Sequence, residues 1–415
     1  MTHDTNIPQG YKATALGIIP QEWEVMRLGD IVSITSGESP SLYHLKAEGK
    51  YPYVKVEDLN NCEKYQESSR EYSDDNNTTI KAGSIIFPKR GASILNNKVR
   101  IAAKDIQMDS NMMAITPHTA IVDTEFLYIR ILHERLYRIA DTSSIPQINN
   151  KHIIPYKIAV PPLAEQRKIA EVLGVWDEAI EKQARLIEKL ALRKRGLMQR
   201  LLSAKLRLPG FSEPWKKVKL GDIGDTYNGL SGKNKDDFEY GNAQFIPYIN
   251  VFSNERIDTN NLGCVQIEPN EQQNTVKYGD IFFTVSSETP DEVGMASVLL
   301  EHLDNTYLNS FCFGYRLNDF STLNPFFAAY LFRTEHFRNY MSVLAQGSTR
   351  FNISKKEVMK LKIDLPTIEE QTAIAEVLTA ADREIELAKE KLERLRRQKR
   401  GLMQQLLTGK KRIKL

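Results

Sequence analysis

The chain has 415 residues, 41% of them apolar and 26% charged, which is too long for one ordinary core and too apolar for wholesale disorder. A net charge of +3 excludes a histone-like polycation and leaves nucleic-acid binding to local patches. Three distant cysteines (Cys62, Cys264 and Cys312) exclude a disulfide framework and a C-x-x-C zinc spacing and fit a reducing, cytoplasmic setting; the N-terminus has no basic start followed by an apolar core, and no stretch approaches 18 apolar residues, so neither a signal peptide nor a membrane span is expected.

Residues 1–160 read as a first globular arm. Short apolar runs between Gly, Asn, Asp and Pro predict strands at Ser84–Pro88, Met112–Thr116 and Ile153–Val160, and a helix over Thr124–Ile139. Residues 161–209 read as a long helix. Leu173, Trp176, Ile180, Gln183, Ile187, Leu190, Lys194, Leu197 and Leu201 follow the alternating 3-4 spacing of a coiled-coil seam. Residues 210–364 form a second arm, with strands predicted at Asp280–Val285, Phe311–Arg316 and Val358–Asp364 and a helix over Asn324–Leu344. Residues 365–415 close the chain with a second seam helix, carried by Leu378, Ala381, Ile385, Ala388, Leu392, Leu395, Lys399, Leu402 and Leu406.

The two helices are an internal repeat at an offset of 205 residues. Between 165–205 and 370–410 there are 21 identities in 41 positions, among them the block KRGLMQ at Lys194–Gln199 and Lys399–Gln404. The arms repeat only in framework: Trp23 and Leu28-Gly29-Asp30-Ile31 answer to Trp215 and Leu220-Gly221-Asp222-Ile223. Charge gives the direction of pairing. The first helix carries five acids and three bases over 164–184, then one acid and eight bases over 185–207; the second carries seven and three over 369–391, then one and nine over 392–415. An antiparallel pair sets each basic half against an acidic half. The seam lysines Lys194 and Lys399 are expected near an end or beside an acid, because a buried ammonium is costly. Gly196 and Gly401 have two readings, close backbone approach at a crossing or a frayed helix end. The fold expected is mixed α/β (α+β): two globular domains separated by two long antiparallel coiled-coil helices, with a pseudo-twofold repeat.

Candidate base-reading positions are the polar loops where the arms differ. The first arm offers Lys89, Arg90 and Ser93, then Lys98 and Arg100, and the loop Ser144–Asn150 with Gln147, Asn149 and Asn150; Ser36 joins them. The second arm offers Lys233, Lys235, Ser286, Ser287, Thr349 and Arg350. Arg and Lys pair with guanine edges or phosphates, and Asn and Gln with adenine. Such loops are also ordinary solvated surface. Catalytic signatures are absent: no G-x-x-x-x-G-K-[ST] or G-x-G-x-x-G occurs, the seven histidines form no metal spacing, and Asn324-Pro325-Phe326-Phe327 reads as a capped helix start. Asp30 with Glu48-Gly49-Lys50 has nuclease-like spacing, but such a pattern is common by chance.

Taken together, PQEWEVMRLGDI at Pro20–Ile31, Pro146-Gln147-Ile148-Asn149-Asn150, Pro161-Pro162-Leu163-Ala164-Glu165-Gln166-Arg167-Lys168-Ile169 and the duplicated KRGLMQ ends make the chain resemble the specificity subunit of type I restriction–modification enzymes. That resemblance implies two target-recognition domains, each reading one half of a split, asymmetric site on double-stranded DNA. It implies helices that act as spacer and dock two methyltransferase subunits, with restriction (motor–nuclease) subunits joining them. It also implies adenine-N6 methylation or restriction by those partners: no cofactor on this chain, S-adenosylmethionine on the methyltransferase, and ATP and magnesium used for restriction. The chain itself is then no enzyme. The competing readings are a stand-alone nuclease or methyltransferase with an unrecognised site, and a coiled-coil adaptor that never touches DNA.

Overall fold

The computed structural model describes residues 7–142, 145–238 and 240–413. Contacts divide the chain into two units: residues up to 184 together with 391 onward, and residues 185–390. The division at 160, 209 and 364 follows the chain, whereas the packing is discontinuous. Each arm packs on the start of one long helix and the end of the other.

In the first unit a five-stranded sheet runs in the order Val32–Ser36, Met112–Pro117, Ile85–Pro88, Arg100–Ala102, Tyr65–Gln66. Its central strand is buried at all four residues, because alternate side chains enter different cores. Ile85, Phe87, Met113 and Ile115 face the core shared with the helix Thr124–Glu134 and with Leu173, Leu406 and Leu407 of the long helices. Ile86, Met112 and Ala114 face a second core with Val54 and Leu59. The second unit repeats this with four strands in the order Gly224–Asn228, Cys312–Leu317, Ile281–Thr284, Ala296–Val298. Ile281, Phe283, Phe313 and Tyr315 face the core that holds Leu201, Leu202, Ile374 and Leu378, and Phe282 and Cys312 face the other side.

Four predicted elements change, a strand and a helix in each arm, the strand expected over Val358–Asp364 and the helix expected over Asn324–Leu344 among them. The strand expected over Ile153–Val160 is a helical turn, Asn150–Ile153, followed by a shorter strand, Lys157–Val160; in the second arm Lys355–Val358 precedes Lys362–Leu365 in the same way. The helix expected over Thr124–Ile139 breaks at Arg135, whose φ is 65°. Asn97 holds the break open: its Nδ2 donates to Leu132 O at 3.0 Å and its Oδ1 accepts from Leu136 N at 2.9 Å. Its counterpart splits into Pro325–Leu331 and Glu335–Leu344, the second capped by Thr334, whose side chain accepts from Phe337 N.

The long helices are α1, Leu163–Leu201, of 39 residues, and α2, Ile368–Leu407, of 40. No seam position is exposed: Leu173, Gln183, Leu190, Leu201, Leu378, Ala381, Ala388, Leu392 and Leu406 are buried, and Trp176, Ile180, Ile187, Leu197, Ile385, Leu395 and Leu402 half-buried. Pairing is antiparallel within each unit. In the first, Lys399 near the end of α2 pairs with Asp177 near the start of α1. In the second, Lys194 near the end of α1 reaches Asp382 near the start of α2 at 2.7 Å and Glu255 at 2.8 Å. Both seam lysines thus find the acids that their burial demands. Burial alone lowers the Lys194 pKa, but Asp382 and Glu255 outweigh it and hold the amine above its usual range. Neither reading of Gly196 and Gly401 holds, for a Cβ at either meets nothing within 4 Å and both helices run on beyond them.

The repeated Glu-Gln pair fixes each arm to its helix. Gln166 is fully buried; its Oε1 accepts from Asp123 N at 2.7 Å, and its Nε2 donates to Ile121 O at 2.9 Å and Pro161 O at 2.8 Å. Gln371 does the same with Asn324 N, Thr322 O and Pro366 O at 2.9–3.0 Å. Glu165 receives Arg412 Nε at 2.6 Å and Trp23 Nε1 at 2.9 Å. Glu370 receives Arg207 Nε at 2.5 Å, while the indole N–H of Trp215 is buried without a hydrogen-bond partner among the described residues.

Candidate nucleic-acid interface

The candidate loops of each arm meet in a short three-stranded ladder. In the first arm the chain leaving Ile85–Pro88 turns at Gly91, whose φ is 82°, a conformation that favours glycine. Arg90 lies opposite Gln147 in an antiparallel bridge. Ile148 N donates to Lys89 O and Gly91 N to Pro146 O, each at 2.9 Å. On the other side Gln147 and Asp141 exchange two backbone bonds at 2.9 Å. In the second arm Ser286–Ser287 pairs with Phe351–Asn352, Ile353 N donates to Val285 O at 3.0 Å, and Asn352 exchanges backbone bonds with Gln346 at 2.8 and 2.9 Å. The 205-residue offset of the helices therefore extends into the arms here. It matches Asp141 with Gln346, Gln147 with Asn352 and Ile148 with Ile353; Lys89 and Arg90 match Val285 and Ser286 through the same bonds.

The isoleucine of each ladder is buried and the preceding amide-bearing residue is not: Gln147 is half-buried and Asn352 exposed. That is the alternation of a strand with one face on the core. Arg90 is exposed and makes no side-chain hydrogen bond or ion pair among the described residues. Lys89 beside it makes no ion pair among the described residues, and partial burial and then the charge of Arg90 push its amine down against the weaker opposing pull of Asp109. Asn149 occupies the N-cap position of the turn Asn150–Ile153, its N–H donating to His152 Nδ1 at 3.1 Å, and Asn150 is exposed. Ser354 and Lys355 take these places in the second arm. The Lys355 amine, which burial lowers, donates to Asn228. Ser36 is exposed at the end of its strand, and the next residue, Gly37, donates to Met112 O at 3.0 Å, beside the Asn111 carbonyl that accepts from Lys89 N at 2.8 Å. Ser93 is half-buried; Thr349 and Arg350 are exposed. Ser144 lies outside the described residues.

Other candidates have different surroundings. The guanidinium of Arg100 donates to the carbonyls of Cys62, Val99 and Leu59 at 2.7–2.8 Å, and Lys98 reaches Asn60 Oδ1 at 2.5 Å, so both brace the Leu59–Cys62 loop. The Lys233 side chain is 6% exposed and paired with Glu271, whose carboxyl that amine holds below the usual range. Lys235 is exposed at the start of a 3-10 turn. Ser286 and Ser287 are buried; Ser286 O accepts from Tyr248 OH at 3.0 Å, and Ser287 Oγ donates to Glu292 at 3.1 Å. The third strand of each ladder, at Asp141 and Gln346, was not among the sequence candidates, and only the 205-residue offset pointed to it.

Asn324 caps its helix, its Oδ1 accepting from Phe326 N at 2.8 Å with Pro325 in the first turn, and its Nδ2 donates to Thr372 Oγ1 at 3.1 Å, so both ends of its amide are engaged within the fold. Among the described residues no group of three or more His, Cys, Asp or Glu side chains is placed to hold a metal ion, and no helix is long and apolar enough to cross a membrane. A cavity of about 760 Å³ lies in the second unit, among Met198, Leu202, Trp215, Leu331 and Phe337. The position of Leu331 belongs in the first unit to Arg130, a buried side chain paired with Glu134 at 2.6 Å that donates to the carbonyl of Leu407.

Residues 20–191 and 212–397 match the family described as type I restriction modification DNA specificity domain. The type I restriction enzyme MjaVIII specificity subunit of Methanocaldococcus jannaschii is 26% identical over 419 residues, 95% of this chain and 94% of that protein. The putative MjaX specificity subunit of the same organism is 25% identical over 445 residues, 98% and 97% of the two chains. A solved structure from work on complex assembly and conformational transition of the type I R-M system aligns with a TM-score of 0.65 at 20% identity, covering 94% of this chain and 99% of its own. The type I S subunit from M. genitalium aligns at 0.53 and 17% identity, covering 98% of each. These structural likenesses concern the fold.

Proposed function

Because the chain belongs to the family of type I restriction–modification DNA specificity domains, which it matches twice, we propose that it is the specificity subunit of a type I restriction–modification complex, each arm reading one half of a bipartite, asymmetric site on double-stranded DNA. The observation that carries this reading is the repeated ladder. The two units are built alike, each with its own core, helix seam and Glu-Gln pair, yet they carry different residues at the same ladder positions: the exposed Arg90 opposite Gln147 in one, the buried Ser286 opposite Asn352 in the other. A common frame with unlike reading residues is what two unlike half-sites require. Two methyltransferase subunits dock on the near-identical helices, equivalent sites for one kind of partner. Those partners carry S-adenosylmethionine and methylate adenine N6, and restriction subunits bring the ATP- and magnesium-dependent chemistry. The chain catalyses nothing itself and works in the cytoplasm. The helices set the unspecified gap between half-sites; 39 residues of α1 span about 58 Å at 1.5 Å each, against about 34 Å for one turn of DNA.

The test replaces residues 210–364 by the arm of a relative and maps methylated adenines in cells carrying the partner subunits. One half of the site changes and the other stays. A change in both halves, or in neither, refutes the modular reading. Methylation or cleavage by the purified chain alone, given DNA, magnesium and S-adenosylmethionine, refutes the non-catalytic one.

A further inference from the structure

Two ladder residues outside the cores, Gln147 and Asn352, are held through the backbone on both sides. Gln147 is fixed on both sides, by two backbone bonds to Asp141 and by the bridge to Arg90. Asn352 is fixed likewise by Gln346 and Ser286. Pairing of this kind removes the backbone freedom before binding and leaves only the side-chain rotamers to be ordered, which suits discrimination between bases. Although the arms have diverged, both carry a carboxamide at this position. Gln147 makes no side-chain hydrogen bond among the described residues, and Asn352 only a long one, 3.3 Å, from Nδ2 to Arg350 O. A carboxamide offers a donor and an acceptor side by side, the pattern that matches adenine N6 and N7 in the major groove.

The cation near the carboxamide differs. In the first arm it is Arg90, directly across the ladder from Gln147, where opposed residues stand about 5 Å apart. In the second arm Ser286 holds that place, buried, and the exposed arginine is Arg350, two residues before Asn352 on the same segment. Neither arginine has an ion-pair partner among the described residues. A guanidinium binds guanine O6 and N7 bidentately, so its shift from across the ladder to along it moves the guanine relative to the adenine.

We infer that Gln147 and Asn352 each read an adenine, one in each half-site, and that Arg90 and Arg350 each read a guanine placed differently with respect to that adenine. This rests on the proposed role as a specificity subunit. It assigns the base class at two positions of each half-site and explains how one frame yields two asymmetric sequences.

The experiment co-expresses the full chain with its methyltransferase partner and maps N6-methyladenine across the host genome for wild type, Gln147→Ala, Gln147→Asn, Asn352→Ala, Arg90→Ala and Arg350→Ala. Gln147→Ala relaxes one A·T position in one half-site by about five- to 150-fold and leaves the other half unchanged. Asn352→Ala does so in the other half, and Gln147→Asn keeps the adenine. Each arginine variant relaxes a G·C position in the half-site of its own arm, at a different spacing from the adenine in the two halves. Where a variant abolishes methylation, selection of bound duplexes from a randomised pool by the purified complex reads the same positions. Unchanged preferences, or relaxation at a position that is not A·T for the carboxamides or G·C for the arginines, overturn the inference. A wild-type complex with no bipartite motif instead overturns the proposed function.

Discussion

Gln166 and Gln371 are the sharpest points at which to perturb the frame. Each is fully buried, and each satisfies one backbone N–H and two backbone carbonyls at 2.7–3.0 Å. Replacement by leucine keeps most of the volume and removes all three partners. Each orphaned buried group costs about 1–3 kcal/mol. With some relaxation and water entry the sum is about 3–5 kcal/mol, a large fraction of a typical domain's stability. Glutamate is worse than leucine here, because it keeps the acceptor for Asp123 N but turns a carboxylate toward Ile121 O and Pro161 O. The assay is hydrogen exchange by mass spectrometry under native conditions. Gln166→Leu speeds exchange of the amides around Asp123 by roughly two to four orders of magnitude and leaves those around Asn324 near their wild-type rates; Gln371→Leu does the reverse. A loss below about 1 kcal/mol, or variants that loosen both sites equally, would show that the arms are not anchored through these amides.

Lys194→Met leaves Glu255 and Asp382, each about a third exposed, without their shared cation. Solvent screening reduces the cost from that of a fully buried pair to about 1–2 kcal/mol. Lys399→Met strands only Asp177, which is 45% exposed, and a smaller drop in thermal melting distinguishes the two. Burial, and then the charge of Arg130, lower the pKa of His133. A base depressed in the folded state contributes its full stability above the unfolded value near 6.5 and loses it as pH falls through the folded value. The first unit therefore melts lower at pH 5 than at pH 7.5, and His133→Leu flattens that difference; a variant with the wild-type pH profile contradicts the assignment. Seven residues inserted after Gln183 and seven after Ala388 preserve the seam phase and lengthen each helix by roughly 10 Å. The methylated motif then gains about 3 unspecified base pairs, and an unchanged gap ends the spacer idea.

The helices were legible because their signal is local and repeated. The seam is read from side-chain spacing, the antiparallel sense from the acid-to-base gradient, and the duplication from 21 shared positions over 165–205 and 370–410. The demand of Lys194 and Lys399 for acids followed from desolvation alone, although which acids answered did not. The arms were harder. Asn97, a surface-looking asparagine, breaks the helix after Glu134 from nearly forty residues upstream, and no periodicity carries that information. Among the DNA candidates the sequence ranked residues by type, so Arg100 and Lys233 stood beside Arg90 although their charged groups are engaged within the fold.

The amino-acid order by itself determined the two-fold plan of the chain, the seam positions and the direction in which the helices pair, since these depend on neighbours three and four residues apart and on net charge along a helix. Only the tertiary structure decided that Gln147 lies opposite Arg90 and Asn352 opposite Ser286. Those pairs are 57 and 66 residues apart, and their meeting is set by backbone bonds between strands that the two cores hold in register. Side-chain identity proposes a contact, and long-range backbone pairing decides which side chains are left free to make it.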